Sequence, residues 1–247
     1  MAQHVNLPPA YSLVTLLPGA EVSEDAARRA AEGADEGTLI WSPPPVTAGG
    51  ASIWPGELDC ALILRPEDSL AAALQLIYVA GLSIEAAMTA QVPPMTRVRL
   101  RWPNLVQLND CSAAKVVPIW ALEDDGRVAW MILNTKADMA ADRRDYEMPD
   151  YAEDRNYSVA GLLERFCRHF LSNVDQWANE GFEPARRAWL RRVDGVGEPI
   201  QLNTASATLN GTFETVNEQG ELVLKLSDGH RRPIPVADVL SQGQHNA

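Results

Sequence analysis

Short apolar runs that alternate with polar residues dominate the first two thirds of the chain, and this pattern predicts strands. Two longer segments instead place apolar residues three and four positions apart, which is the spacing of one helix face. Together they predict an α+β fold, a mixed β-sheet covered by helices. The predicted helices are 23–32, 70–88, 158–178 and 184–192, and the predicted strands are 11–17, 38–41, 57–64, 98–100, 106–108, 116–122 and 128–133.

Capping and turn residues mark where these elements begin and end. Ser23 and Ser158 are predicted N-caps, because a serine side chain accepts a hydrogen bond from the first helical turn. Pro93 and Gly181 are predicted to stop the two long helices. Residues 134–157 carry many charges and few large apolar side chains, so they are predicted to form a long loop.

The pattern changes to period two near Gly197, where several short strands separated by turns follow. The sequence therefore predicts two domains. The larger covers residues 1–196, and a small β-barrel-like module covers 197–247. A module of this size needs to pack on the main domain to be stable.

Composition is that of an ordinary globular protein, with 46% hydrophobic and 22% charged residues in a chain of 247. No apolar run approaches the ~18 to 20 residues that span a bilayer, and the N-terminus lacks the features of a signal peptide. Three widely spaced cysteines argue against a disulfide framework and a cysteine metal site. We therefore expect a cytoplasmic protein without membrane contact.

The net charge of −12 disfavours nucleic acid as a partner, since nucleic-acid binders carry basic surfaces. Residues 160–195 are nevertheless locally rich in arginine, including Arg186 and Arg192. This segment is interpreted either as a solvated helical face or as a docking surface for an acidic protein partner.

The segment Arg101-Trp102-Pro103-Asn104 is the strongest candidate for chemistry. Proline cannot donate to a sheet ladder, so Pro103 ends the preceding strand, and Asn104 begins a turn as an exposed amide. The segment is interpreted either as a pre-set ledge facing a ligand or as a core tryptophan followed by an ordinary turn.

This segment resembles the Lys-Trp-Pro-Asn-Asp element of biotin and lipoate protein ligases, with Arg101 for the lysine and Leu105 for the aspartate. Further elements of that family follow in the same order, at residues 22–26, 37–41, 57–66 and 220–224. The resemblance implies a class II synthetase-like catalytic fold with an SH3-like C-terminal module. More narrowly, the chain resembles alphaproteobacterial biotin/lipoate ligase-like proteins, a subgroup of unsettled function.

The resemblance also implies an activity. ATP with Mg would activate a biotin- or lipoate-like carboxylate, and the adenylate would pass to a lysine on an acidic acceptor or carrier protein. Arg101 would bring positive charge, Trp102 and Pro103 would pack against the ligand, and Asn104 would orient its polar groups. The position of the ligase lysine falls on Ser112 or, if the hairpin is longer, on Lys115. Cys111 is a weaker candidate.

One departure from the family concerns the loop after the second strand, which reads Gly-Arg-Gly-Arg-x-Gly in active biotin ligases. Residues 42–54 here contain no arginine or lysine, although Gly49, Gly50, Ala51 and Trp54 stay candidates for ligand contact. Two hypotheses follow. The protein is a ligase with degenerate adenylate-binding motifs, or a non-catalytic descendant (a pseudoenzyme) that binds a cofactor, an acyl group or an acidic partner.

Overall fold

The computed structural model describes residues 5–44, 57–141, 158–204 and 206–240. The helices are α1 (Val22–Ala31), α2 (Leu70–Ala73), α3 (Leu76–Thr89), α4 (Val159–Glu180), α5 (Glu183–Leu190) and α6 (Val236–Leu240). The strands of the main sheet are β1 (Ser12–Thr15), β2 (Thr38–Ser42), β3 (Glu57–Leu64), β4 (Val98–Arg101), β5 (Leu105–Leu108), β6 (Cys111–Leu122) and β7 (Val128–Asp138). Those of the C-terminal module are β8 (Pro199–Asn203), β9 (Thr208–Val216), β10 (Leu222–Lys225) and β11 (Arg231–Ile234).

The seven strands of the main sheet pair in the order β1-β2-β3-β7-β6-β5-β4. β1 runs parallel to β2, and every other pair is antiparallel, so the sheet is mixed as predicted. Alternate residues of each strand point to opposite faces. The two faces therefore bury different sets of side chains.

Helices α3 and α4 cover one face of the sheet. α3 is buried almost all round, and its apolar residues join Leu58, Leu62 and Leu133 of the sheet in one hydrophobic cluster. α4 contributes the stripe of Leu163 and Phe166 to the same cluster. This face is the main core of the protein.

Helix α1 covers only part of the opposite face. Its buried residues Val22, Ala26 and Ala30 pack on one patch of the sheet formed by Ile40, Ala61, Ile63 and Ile132. No other described helix packs into this second cluster. The sheet surface beyond the patch is therefore open along β4 to β7, as far as the described residues show. We call it the open face.

The C-terminal module forms its own antiparallel sheet in the order β11-β10-β9-β8, separate from the main sheet as predicted. Its buried side chains, such as Phe213 and Leu222, belong to the same hydrophobic cluster as α3 and α5. The module is therefore packed on the main domain, which meets the expectation from its small size. Its boundary at residue 197 stays a prediction.

The predicted boundary between the strand 128–133 and the following loop needs correction. β7 continues to Asp138, into the segment predicted as a loop from residue 134. Thr135 and Ala137 are buried on the core side of the sheet, while Lys136 faces the open side, so strand alternation continues beyond Leu133. Of the rest of that predicted loop, residues 142–157 lie outside the described part of the chain.

The helix starts also differ in part from the predictions. Ser158 caps α4 as predicted, accepting a hydrogen bond from the backbone N–H of Gly161 at 2.8 Å. α1, however, starts after Glu21, which makes no side-chain capping bond, and Ser23 lies inside its first turn. The predicted helix 70–88 is two helices, α2 and α3, separated at residues 74–75.

The helical stretch Leu70–Thr89 corrects the expectation that no apolar run approaches the length of a membrane span. By length and composition alone it could cross a bilayer, but 72% of it is buried inside the fold. A core helix has the same composition, because it is enclosed by protein instead of lipid.

We expect Ser158→Ala to lower the free energy of unfolding by about 1 kcal/mol, because the α4 N-cap loses its acceptor. Ser172→Ala is the matched control, since Ser172 is an exposed residue inside the same helix. At position 172 alanine has the higher helix propensity, so Ser172→Ala should raise the free energy of unfolding by about 0.3 kcal/mol. Urea unfolding measures both, and equal effects at the two serines would contradict the capping role.

Candidate functional site

A single line of paired residues crosses the open face and continues over β3 to β2. Directly opposed residues of adjacent strands have their side chains on the same face. The pairs are Arg101 with Leu105, Leu105 with Lys115, Lys115 with Lys136, Lys136 with Asp59, and Asp59 with Ser42. They form one line across six strands, which we call the cross-sheet row, made up of Arg101, Leu105, Lys115, Lys136, Asp59 and Ser42.

The cross-sheet row lies on the side of the sheet that carries α1. Asp59 and Ala61 are two residues apart in β3, and Ala61 packs against α1. Cys60, between them, points into the main core instead. Because the alternate residues of these strands are buried in the core, the charged side chains of the row point to the opposite side of the sheet.

An ion pair occupies the centre of the row. The ammonium of Lys136 lies 3.0 Å from a carboxylate oxygen of Asp59. The amide of Asn134 donates to the other oxygen of Asp59 at 3.1 Å and to the carbonyl of Cys60 at 3.2 Å. The hydrogen bond with Asp59 raises the pKa of Lys136 above its ordinary value, with Glu57 and Glu21 adding in the same direction. Lys136 is thus protonated at neutral pH, and Asp59 balances its charge.

Lys115 lies next to this pair on β6 and is exposed. Within the described residues it makes no ion pair, and its directly opposed neighbour is a second lysine. Like charges facing each other across strands are unfavourable, and Asp59 compensates only Lys136. Lys115 therefore offers a positive charge to an anion at the open face.

Arg101 ends the row at the edge of the sheet. It is exposed, and no hydrogen bond or ion pair is seen for its guanidinium among the described residues. Its neighbour in the row, Leu105, is half-buried and separates it from Lys115. In the part of the chain that the structure describes, two cations without ion-pair partners thus flank one apolar side chain.

The other end of the row is tied to the loop before α1. The hydroxyl of Ser42 donates to the carbonyl of Leu17 at 3.0 Å and accepts from the N–H of Gly19 at 3.1 Å. The Leu17 side chain is 81% exposed. A large apolar side chain is therefore presented to solvent close to the polar row.

Trp102 is a core residue in this structure. Its side chain is only 4% exposed, and its indole N–H donates to the hydroxyl of Tyr78 in α3 at 2.9 Å. The Trp102-Pro103 bond is cis, and Pro103 is half-buried. The interpretation as a core tryptophan describes this ring better than a ledge facing a ligand. A ligand contact by Trp102 or Pro103 stays a prediction.

Asn104 is buried at 7% exposure, so the expectation of an exposed turn amide is wrong. Its side-chain amide donates to the carbonyl of Val116 at 2.8 Å, and its own carbonyl accepts from the Val116 N–H at 3.0 Å. Because Val116 follows Lys115, Asn104 fixes β6 where Lys115 enters the row. Asn104 thus supports the fold of the site, and its role in orienting a ligand stays a prediction.

Ser112 and Lys115 both belong to β6, so the strand starts earlier than predicted. Ser112 pairs with Gln107 across an irregularity in the ladder, whereas Lys115 pairs with Leu105 in the row. Cys111 is exposed at the start of the strand. Of these three side chains, Lys115 alone joins the row, and the role of each stays a prediction.

Four further candidates, Gly49, Gly50, Ala51 and Trp54, lie outside the described residues. Within the described ranges, no group of three or more histidine, cysteine, aspartate and glutamate side chains is placed to hold a metal ion.

Sequence reasoning missed Asp59 and Lys136. No sequence pattern singles out Asp59, because it lies inside a predicted strand and follows an apolar residue. Lys136 falls in the segment predicted as a loop, although the alternation in residues 133–137 places it on the same face as Asn134. Their pairing is visible only once the strand order is known.

The comparisons with known proteins bear on this fold and site. The model of the biotin/lipoate A/B protein ligase family matches residues 7–191, and that of the biotin protein ligase C-terminal domain matches residues 195–240. The chain belongs to the biotin/lipoate A/B protein ligase family. The resemblance expected from the sequence is therefore confirmed.

A protein of Paracoccus denitrificans named biotin--[acetyl-CoA-carboxylase] ligase is 30% identical over 201 residues, which cover 76% of this chain and 81% of that protein. Among solved structures, a biotin protein ligase-like protein of unknown function from Silicibacter sp. TM1040 is 25% identical with a TM-score of 0.77, covering 96% of this chain and 99% of that one. The biotin protein ligase of Aquifex aeolicus has 17% identity and a TM-score of 0.67, covering 92% and 97%. The last likeness concerns the fold alone.

Asn104→Ala should lower the free energy of unfolding by about 1 to 3 kcal/mol, because the carbonyl of Val116 loses a buried donor. Asn210→Ala is the control, since Asn210 is exposed on β9, and it should change stability by less than about 0.5 kcal/mol. Urea unfolding separates the two. A loss at Asn104 no larger than that at Asn210 would show that the amide does not hold the turn.

Proposed function

We propose that this chain binds a biotin- or lipoate-like carboxylic acid along the cross-sheet row, with Lys115 and Arg101 facing its negative charge. The observation that carries the proposal is the row itself. Among the described residues it places two cations without ion-pair partners on a sheet face that no described helix covers, in a member of the biotin/lipoate ligase family.

The charge balance of the row supports an anionic ligand. Lys136 and Asp59 neutralise each other in a 3.0 Å pair, so the pair adds no net charge. Lys115 and Arg101 remain, and a carboxylate would form charge-assisted hydrogen bonds with either of them. These bonds fix where the charged end of the ligand lies.

The apolar part of such a ligand also has neighbours on this face. Leu105 lies between the two cations, and Val117 is two residues beyond Lys115 on β6, so both side chains share the face. Both are half-buried, which leaves apolar surface for an aliphatic chain. Removing that surface from water contributes roughly 25 cal/mol per Å² of contact.

The described residues do not fit ATP with its magnesium well. Within them no group of three or more histidine, cysteine, aspartate or glutamate side chains is placed to hold a metal ion, and the two unpaired cations of the row are already assigned to the carboxylate. We therefore assign no step to ATP or magnesium. The ligand side of the row does not share this difficulty, since one carboxylate matches one or two cations.

A non-catalytic descendant of a ligase is the second candidate, and one sequence fact favours it. Residues 42–56 contain no arginine or lysine. Each charge-assisted contact to an adenylate phosphate is worth roughly 1.5–3 kcal/mol, so losing three would remove about 5 to 9 kcal/mol. That loss is large enough to abolish useful activation of the carboxylate.

A carrier protein is the proposed partner if transfer to lysine occurs. The arginines in and just after α5 support a docking surface for an acidic partner less than their number suggests. Arg186 and Arg187 both pair with Glu183, and Arg192 lies 3.4 Å from Glu85. These internal pairs reduce the positive charge that residues 183–192 present to a partner.

We expect ATP–pyrophosphate exchange with biotin or lipoate to be weak or absent, because residues 42–56 supply no cation to the phosphates. Robust biotin-dependent exchange that disappears in Lys115→Ala would contradict this, and would show that Lys115 takes over from the missing arginines. Lys225→Ala, at an exposed strand lysine of the C-terminal module, is the matched control.

Ligand binding is measured separately by equilibrium dialysis with biotin and with lipoate. Lys115→Ala should weaken the binding of the acid by about tenfold, the loss of one charge-assisted bond, and Lys225→Ala should leave it unchanged. Equal affinity of the wild type and Lys115→Ala for the acid would show that Lys115 is not part of the ligand site. An undetectable affinity of the wild type for both acids would reject the proposed ligand class.

A further inference from the structure

One buried hydroxyl joins three separate parts of the fold. Tyr78 of α3 is 1% exposed. Its hydroxyl accepts the indole N–H of Trp102 at 2.9 Å and donates to the carbonyl of Gly220 at 2.6 Å. The turn that follows β4, the core helix and the C-terminal module therefore meet at this atom.

The ring of Tyr78 is held on two sides by aromatic side chains. The centroid of Phe182 lies 5.3 Å away in a tilted arrangement, and that of Trp189 lies 5.0 Å away edge to face. Burial raises the pKa of Tyr78, so its phenol keeps the proton that it donates to Gly220. A buried hydroxyl without water access cannot exchange these partners for solvent.

Gly220 lies where a Cβ would be in ordinary van der Waals contact with Tyr78. Its φ is +85°, and a Cβ added there would lie 3.4 Å from both Tyr78 Cε2 and Gln75 Cγ. The side-chain amide of Gln75 also donates to the carbonyl of Glu218 at 3.4 Å. The turn of residues 217–220 therefore contacts Gln75 and Tyr78 at the start of α3.

The contact continues from Trp102 into the cross-sheet row. Arg101 immediately precedes Trp102 and ends the row at the sheet edge. Asn104, two residues after Trp102, pairs with Val116, which follows Lys115. A displacement of Trp102 therefore reaches both cations of the row through short covalent and hydrogen-bonded connections.

We propose that Tyr78 is a positioning residue through which the C-terminal module sets the placement of Arg101 and Lys115 on the open face. Its effect on a ligand rests on the proposed function of the row, whereas the coupling itself does not. The module then acts as part of the site, although none of its residues belongs to the row.

Gly220→Ala tests the coupling from the module side, with Gly229→Ala as its matched control. Both glycines have a positive φ in turns of the same module, so alanine strains the backbone at either position, but only the carbonyl of Gly220 accepts the hydroxyl of Tyr78. Two readouts are used. One is the indole N–H signal of Trp102 in a nitrogen-15 spectrum, identified by its loss in Trp102→Phe. The other is hydrogen–deuterium exchange of peptides covering residues 98–108.

Gly220→Ala should shift the Trp102 indole signal and speed amide exchange in residues 98–108 by about threefold to tenfold. Gly229→Ala should do neither, although it costs similar backbone strain. An unmoved Trp102 signal in folded Gly220→Ala, or equal changes in both variants, would overturn the proposal.

Tyr78→Phe keeps the ring and removes the hydroxyl, so the proposal stays testable if Gly220→Ala does not fold. Its control is Tyr11→Phe, because the Tyr11 hydroxyl donates to the carbonyl of Cys167 at 2.8 Å, away from the module. Only Tyr78→Phe should change the two readouts. If Tyr11→Phe changes them equally, the effect is general loosening and the proposal fails.

Biotin affinity separates this proposal from the function of the row. If the wild type binds biotin, Gly220→Ala should raise the dissociation constant by about threefold to tenfold and Gly229→Ala should not. If the wild type does not bind biotin, the proposed ligand fails while the Trp102 and exchange readouts still decide the coupling. An unchanged dissociation constant in Gly220→Ala would contradict the placement of the cations by Tyr78.

Discussion

The pairing register of six adjacent strands decides which side chains reach the open face of the main sheet. In a strand, a shift by one residue moves every side chain to the opposite face. The buried alternate residues Leu58, Cys60, Leu133 and Thr135 cannot make that move without leaving the core. The core therefore fixes the register, and the register brings Asp59, Lys136, Lys115 and Arg101 into one line.

This constraint explains why the polar row and the apolar core depend on each other. Lys136 is held between two core-facing residues of β7, and its partner Asp59 is held in the same way on β3. The arrangement costs little desolvation, because both side chains are partly exposed. The ion pair is thus a consequence of the sheet and not its main support.

Local patterns predicted much of the fold. The strand over residues 57–64 has the bounds of β3, Ser158 caps α4, and the C-terminal strands form their own sheet. The predictions were less accurate where polar residues continue a strand, as in β7 beyond Leu133. The sequence around Leu133 does not show that Lys136 pairs with Asp59, because Asp59 lies far away in the sequence.

The candidate site was predictable only in part, for the same reason. The family motif drew attention to residues 101–104, and Arg101 does lie on the open face. The burial of Trp102 and Asn104 depends on Tyr78 and Val116, contacts between distant segments that no local pattern encodes. Lys115 lies in the row because it pairs with Leu105, whereas Ser112 pairs with Gln107.

The central claim is that the cross-sheet row is the ligand site, and the three lysines of the chain allow a direct measurement. Protein labelled with carbon-13 at the lysine ε-carbon gives one signal each for Lys115, Lys136 and Lys225. Titration with biotin or lipoate should shift the Lys115 signal most and the Lys136 signal less, and leave Lys225 unmoved. Saturating acid that leaves Lys115 and Lys136 unshifted would contradict the account.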